Sequence, residues 1–130
     1  MQLQSDRAPT AGHYVLVVED NEDVRETLVE LLESYGYDAI GAEHGREALD
    51  KLALLGTRPC MIVLDLMMPV MDGRTFRLEQ LKQPDVSGVP VVVISAYDES
   101  PERMRDMQAL AYLRKPINLN ELMRVVGEHC

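Results

Sequence analysis

The sequence predicts one α/β domain, a doubly wound five-stranded parallel sheet with helices on both faces. Two observations predict it. Short apolar runs alternate five times with segments whose apolar residues recur at helical spacing, the pattern of strands joined by crossover helices. The runs "YVLVV", "MIVL" and "PVVVIS" are apolar throughout rather than at every second position, so both faces of those strands must be covered. At 130 residues the chain has length for a single core.

The elements follow in order. Tyr14 to Val18 form the first strand. Val24, Leu28, Leu31, Leu32 and Tyr35 then make the apolar stripe of a helix that Gly36 ends. Val29 lies off that stripe, which makes it a candidate for a docking face on the first helix, the alternative being that it packs under a neighbouring helix edge. "YDAIGA" reads as the second strand and "GREALDKLALL" as a helix with Ala48, Leu49, Leu52 and Leu55 inward. Met61 to Leu64 form the third strand, followed by a helix from about Arg74 to Lys82 that stops before Pro84. Pro90 to Ser95 form the fourth strand. Ser100 caps a fourth helix with Pro101 in its first turn. "AYLRK" is the fifth strand, and Asn118 with Glu121 has the spacing of a capping box opening the last helix. Residues 1–12 read as a flexible leader and residues 13–130 as the domain.

Composition excludes several functions. With 13 Lys and Arg against 22 Asp and Glu, the net charge of −9 argues against direct binding to nucleic acid or to an anionic membrane. No apolar stretch reaches membrane-spanning length, and "MQLQSDRAPTAG" lacks the apolar core of a signal peptide, so a cytoplasmic location is expected. His13, His44 and His129 are far apart, with no zinc-ligand spacing. The two cysteines suggest no disulfide: Cys60 reads as a small core residue and Cys130 as an exposed one.

In an open parallel sheet, ligands bind beyond the carboxyl ends of the strands, where strand order reverses. The first strand ends in Glu19-Asp20, the third in Asp65, the fourth in Ser95 and the fifth in Lys115. Each has an ordinary explanation alone: Asp20 as a helix cap, Ser95 in a turn, Lys115 as a solvated charge. Together they place three carboxylates, a hydroxyl and an ammonium at one rim. Crowded carboxylates without nearby Cys or His suit a hard divalent cation, Mg²⁺ or Mn²⁺. A carboxylate beside such a cation can attack phosphorus and become an aspartyl-phosphate, with Lys115 and Ser95 stabilising the phosphoryl oxygens.

The ordered set "VVED", "VLDLMMPVMDG", "VVVISAY" and "YLRKP" resembles the receiver domains of two-component response regulators, from about Tyr14 to Gly127. The resemblance implies a flavodoxin-like fold with Asp65 as phosphoacceptor. It implies Mg²⁺ held by Glu19, Asp20, Asp65 and the main-chain carbonyl of Met67. Ser95 would be the switch hydroxyl, Lys115 the phosphate-pairing amine and Tyr112 the switch aromatic, with a cis peptide before Pro116. Met67 and Tyr97, two places after Asp65 and Ser95, would tune the lifetime of the phosphoryl group. A histidine kinase or phosphotransfer protein would be the donor, and the candidate docking face at Val29 would be a kinase-docking face. A downstream protein, a missing output domain or a second phosphorylated copy would read the result. Such a domain catalyses its own phosphorylation and dephosphorylation without being a dedicated enzyme. The chain departs from the family at Glu19 (usually Asp) and Ser95 (usually Thr), and in the interval from Ser95 to Tyr112, which is short by about two residues.

Two rivals share the fold. A metal-dependent phosphohydrolase with an Asp nucleophile would place a second acid two residues on, where Met67 stands. A pseudo-receiver would bind partners without phosphorylation.

Overall fold

The computed structural model describes residues 14–130, so the expected leader and the domain's first residue lie outside the described residues. The elements run β1 (Tyr14–Val18), α1 (Glu22–Ser34), β2 (Asp38–Ala42), α2 (Gly45–Leu55), β3 (Met61–Asp65), α3 (Gly73–Leu81), β4 (Val91–Ser95), α4 (Pro101–Met107), β5 (Ala111–Arg114) and α5 (Leu119–His129). All strand pairs are parallel, in the order β2-β1-β3-β4-β5.

That order dictates the layers. The crossover from β1 to β2 runs one way along the sheet, and the later crossovers run the other way. With right-handed connections, α1 must lie on one face and α2, α3 and α4 on the other. The strand side chains sort accordingly. Leu16, Val18, Ile62, Leu64, Val91 and Val93 pack under Ala48, Leu49, Phe76 and Met107. Val15, Val17, Met61, Val63, Val92 and Ile94 pack under Leu28 and Leu32 of α1 and Leu122, Val125 and Val126 of α5. The topological switch point falls between β1 and β3, whose carboxyl ends carry Glu19 and Asp65.

Every helix starts on a side-chain cap: Asn21, His44, Asp72, Ser100 and Asn118 each accept from the backbone N–H three residues on. Ser100 and Asn118 stand where the sequence placed them. Helix α4 has 7 residues, in keeping with the shortened interval before Tyr112. Its end is held from outside. Buried Arg77 of α3 donates through Nε to Met107 O (2.8 Å) and through an η nitrogen to Gln108 O (2.9 Å). These are carbonyls that a helix end leaves without partners. Gln80 accepts from Arg77 and donates to Val86 O and Val89 O, so one buried polar network ties α3 to α4 and to the approach to β4.

Three expectations need correction. Tyr35 is 60% exposed rather than part of the inner stripe, because α1 ends before it in a turn at Gly36 (φ 94°). Val29 is half-buried against the α1–α5 side of the core and offers no free apolar knob. Cys60 and Cys130 are bonded to each other, with Cα atoms 5.5 Å apart, so neither is a free thiol.

Gly73 marks the tightest turn near the sheet edge. Its N–H donates to Leu66 O at 3.1 Å. A Cβ there would lie 2.9 Å from Leu66 Cα and closer still to the Asp65 carbonyl oxygen. Neither backbone atom can yield without moving the end of β3. Gly73→Ala is therefore expected to cost about 1–3 kcal/mol, as overpacking does. A denaturant titration checks this, and an unchanged midpoint would show that the β3–α3 loop has slack.

Candidate functional site

The carboxyl edge of the sheet gathers all the polar groups expected there. Glu19 continues β1 by one residue: its N–H donates to Ala42 O (3.0 Å), its carbonyl accepts from Arg25 Nη1 (2.9 Å), and its side chain is fully buried. Oε2 accepts from Asn21 N–H at 3.1 Å. Asp65, the last residue of β3, is 2% exposed and accepts from Met67 N–H through Oδ1 (3.3 Å). Asp20 stands beside them, exposed at the mouth. It does not cap α1, because Asn21 does.

Lys115 follows β5, its N–H held by Ser95 O at 2.8 Å. Its Nζ lies 2.8 Å from Glu19 Oε1 and 3.6 Å from Asp65 Oδ2, so it is a paired charge rather than a solvated one. The peptide bond between Lys115 and Pro116 is cis. Ser95 is buried, and its Oγ accepts from Tyr97 N–H at 3.2 Å, which leaves the hydroxyl hydrogen free to donate. The expectation of a turn around Ser95 is thus correct as well. Tyr97 is 66% exposed and Met67 62% exposed, two residues after Ser95 and Asp65 respectively. Tyr112 donates its hydroxyl to Met104 O of α4 at 2.9 Å. Burial pushes its phenol pKa up, and the nearby Glu99 carboxylate adds to this. Ser95, Tyr97, Met104 and Tyr112 share the lining of a small cavity of about 130 Å³ between α4 and β5.

The electrostatics mark this pocket as unusual. Burial, reinforced by the Glu19 carboxylate, pushes Asp65 up to about 8, against the opposing pull of Lys115 and the Met67 N–H. Burial alone would lower the Lys115 amine, but Glu19, Asp65 and Asp20 overcome it and hold the amine above its ordinary value.

Glu19, Asp20 and Asp65 each offer a carboxylate oxygen, and these atoms lie within 4.8 Å of one another. Glu19 Oε1 is fully buried and faces the Lys115 ammonium at 2.8 Å, so one cation serves a cluster of three carboxyl groups. An all-oxygen donor set in which three carboxyl groups face a single ammonium fits Mg²⁺ or Mn²⁺ and does not fit a soft metal.

The sheet of this order carries an acid pocket at its switch point with a lysine reaching into it, the arrangement of an α/β module with a ligand-binding carboxyl edge. Comparison with known proteins gives the family. The response regulator receiver domain model matches residues 15–127. The response regulator MprA of Mycolicibacterium vanbaalenii is 42% identical over 113 residues, which cover 84% of this chain and 46% of that protein. MprA of Mycobacterium avium is also 42% identical, over 84% of this chain and 47% of its own length.

Among solved structures, Vibrio cholerae chemotaxis protein CheY4 superposes with TM-score 0.81 at 29% identity, covering 91% of this chain and 98% of that one. TrrA of Thermotoga maritima, solved in complex with Mg²⁺ and BeF, gives 0.78 at 29% identity, covering 91% and 99%. The chain belongs to the response regulator receiver family, and its fold is the flavodoxin-like fold of those domains. It spans less than half the length of the curated relatives described. Among the described residues, no helix is long and apolar enough to cross a membrane.

Sequence reasoning missed the residues that hold Glu19 in place, Asn21 and Arg25. Asn21 was legible as the first cap-type residue after the acid pair. Arg25, six residues beyond Glu19, carried no signal until α1 was folded against the sheet edge.

Proposed function

We propose that this chain is a phosphoacceptor: Asp65 takes a phosphoryl group from a histidine kinase or histidine phosphotransfer protein, and the modified domain changes the surface it offers to a partner. The observation that carries this reading is the position of Asp65. It is a buried carboxylate at the switch point, with Lys115 Nζ at 3.6 Å and two further acids converging on it.

In the reaction an Asp65 oxygen attacks phosphorus in line, and the donor's bond to phosphorus breaks as the donor leaves. Lys115 pairs one phosphoryl oxygen, and Ser95 donates its free hydroxyl hydrogen to another. Glu19, Asp20, Asp65 and the Met67 carbonyl would hold Mg²⁺ or Mn²⁺, which supplies neutralisation of the phosphoryl charge. Met67 and Tyr97 flank the route of attacking water and set the lifetime of the product.

Ser95, drawn toward the phosphoryl group, opens room in the cavity that Tyr112 lines, so the Tyr112 ring and α4 are the elements whose equilibrium shifts. The reader of that shift is a downstream protein, an output domain of the kind that would account for the greater length of the relatives, or a second phosphorylated copy. The setting proposed for this is the cytoplasm. Turnover of free phosphate esters is disfavoured, because the apolar side chain of Met67 occupies the place of a second catalytic acid.

Incubation with acetyl phosphate and Mg²⁺, followed by intact mass, tests the proposal. One phosphoryl group should be added with Mg²⁺ and none in EDTA. No addition in either buffer would make the chain a pseudo-receiver. Steady release of inorganic phosphate from simple esters would make it a phosphohydrolase.

A further inference from the structure

We infer that Cys60 and Cys130 form a thiol–disulfide exchange site that pins and releases the end of α5 according to the redox state of small disulfides around the protein. The two residues are 70 positions apart and belong to different layers. Cys60 enters β3 at the sheet edge opposite the acid pocket, its N–H held by Tyr14 O at 2.8 Å, and is only 9% exposed. Cys130 caps α5, its N–H donating to Val126 O at 2.8 Å, and is half-buried.

The pattern along α5 says what the bond does. Leu122, Val126 and Cys130 follow one another at i, i+4 and i+8, so Cys130 continues the inward stripe. Between Val126 and Cys130 every residue is exposed, and Gly127 weakens the last turn further. Beyond Val126, the sulfur of Cys130 is therefore the inward anchor of that turn. With the bond closed, the turn is tied to the central strand. With it open, the turn keeps its links within the helix, the Arg124–Glu128 pair and the His129 contact to Val125 O, and its inward packing falls to one small thiol.

The fold itself closes without the bond. Both faces of the sheet carry continuous apolar clusters, one with no cysteine and the other with twelve buried residues besides Cys60, so the pair is not the staple of a domain too small for a core. In a reducing compartment such a pair cycles rather than persists.

The reactant is a low-molecular-weight disulfide of the glutathione class. The Cys130 thiolate, the more accessible of the two, attacks one sulfur and expels one thiolate. The Cys60 thiolate then attacks Cys130 Sγ in the mixed disulfide and expels the second. Two protein thiols and one small disulfide become one protein disulfide and two small thiols. Excess small thiol reverses both steps. About 16 Å of strand, five residues at ~3.3 Å, separates Cys60 from Asp65, so this chemistry does not use the acid pocket and does not rest on the phosphoacceptor reading.

The test equilibrates the chain in reduced and oxidised glutathione, traps it with acid and an alkylating agent, and reads intact mass and amide hydrogen exchange. Both thiols should vanish together, with a loss of two hydrogens. Exchange of the amides of residues 127–130 should slow on closure, and the melting temperature should rise by about 10 °C for a loop of this length. Cys60→Ser should hold one glutathione on Cys130 and never close. Cys130→Ser, at a helix end, should fold and match the exchange of the reduced parent. The inference is overturned if the thiols stay free in excess oxidised glutathione, if the bond resists excess reduced glutathione, or if closure leaves exchange at the end of α5 unchanged.

Discussion

Asp65→Asn is expected to accept no phosphoryl group under conditions that load the parent and, near pH 8 in EDTA, to be the more stable of the two proteins. The first outcome follows because an amide oxygen cannot replace the nucleophilic carboxylate. The second follows from linkage. The folded-state pKa of Asp65 is raised to about 8, whereas an unfolded aspartate titrates near ~3.9. The fold therefore favours the protonated acid. Its contribution is fully present below the unfolded value and is lost as pH rises from about 4 to about 8. Above that range the parent carries an ionised carboxylate beside Glu19, and the variant carries a neutral amide of the same shape. The gain should be on the order of 2–4 kcal/mol near pH 8, less than the raw shift implies because the pocket relaxes. It should vanish below about pH 3, where Asp65 is largely neutral in both states. Urea titrations at the two pH values, paired with intact mass after acetyl phosphate, check both halves. Equal labelling would move the acceptor elsewhere, and equal stability near pH 8 would mean that Asp65 is not held against its charge.

The split between what could be read and what could not has a physical basis. Strand and helix identities are local, and five apolar runs alternating with five helical stripes left little freedom; β1 and α2 lie where the sequence placed them. The site was legible because topology, not contact detail, brings strand ends together. Glu19, Asp20, Asp65, Ser95 and Lys115 come to one edge, although β1, which delivers two of the acids, pairs with β3 across the intervening β2 and α2 of the sequence.

What failed depended on packing. Asp20 and Asn21 are both good cap residues, and only the course of the chain out of β1 gives the cap to Asn21. Arg77 and Gln80 look like surface residues, yet they are buried because α3 lies over the end of α4, whose carbonyls need donors. The Cys60–Cys130 pair depends on where the last turn of α5 falls relative to the start of β3. No local pattern reports a relation across 70 residues.

Mg²⁺ affinity should rise with pH up to about 8, and each ion bound at neutral pH should release close to one proton. The metal-free pocket keeps Asp65 protonated at neutral pH first because burial disfavours its charge, and then because Glu19 is buried beside it. A divalent cation needs Asp65 as a carboxylate, so the proton must leave as the ion enters. With a starting pKa of about 8, the apparent dissociation constant should be on the order of tenfold weaker near pH 7 than near pH 9, and about tenfold weaker again near pH 6. Calorimetry in two buffers of different ionisation enthalpy measures both the affinity and the proton count.

Bound at this site, the ion would stabilise the native state by about 1.4 kcal/mol at ten times its dissociation constant. Asp20→Asn removes an exposed ligand at the mouth without touching a cap, since Asn21 performs that role. In EDTA the variant should be at least as stable as the parent, because one repelling charge has gone. With millimolar Mg²⁺ it should lose most of the metal-dependent rise in melting temperature. An affinity independent of pH would take Asp65 out of the ligand set. A full Mg²⁺ response in Asp20→Asn would take Asp20 out of it and leave Glu19 and Asp65 to hold the ion alone.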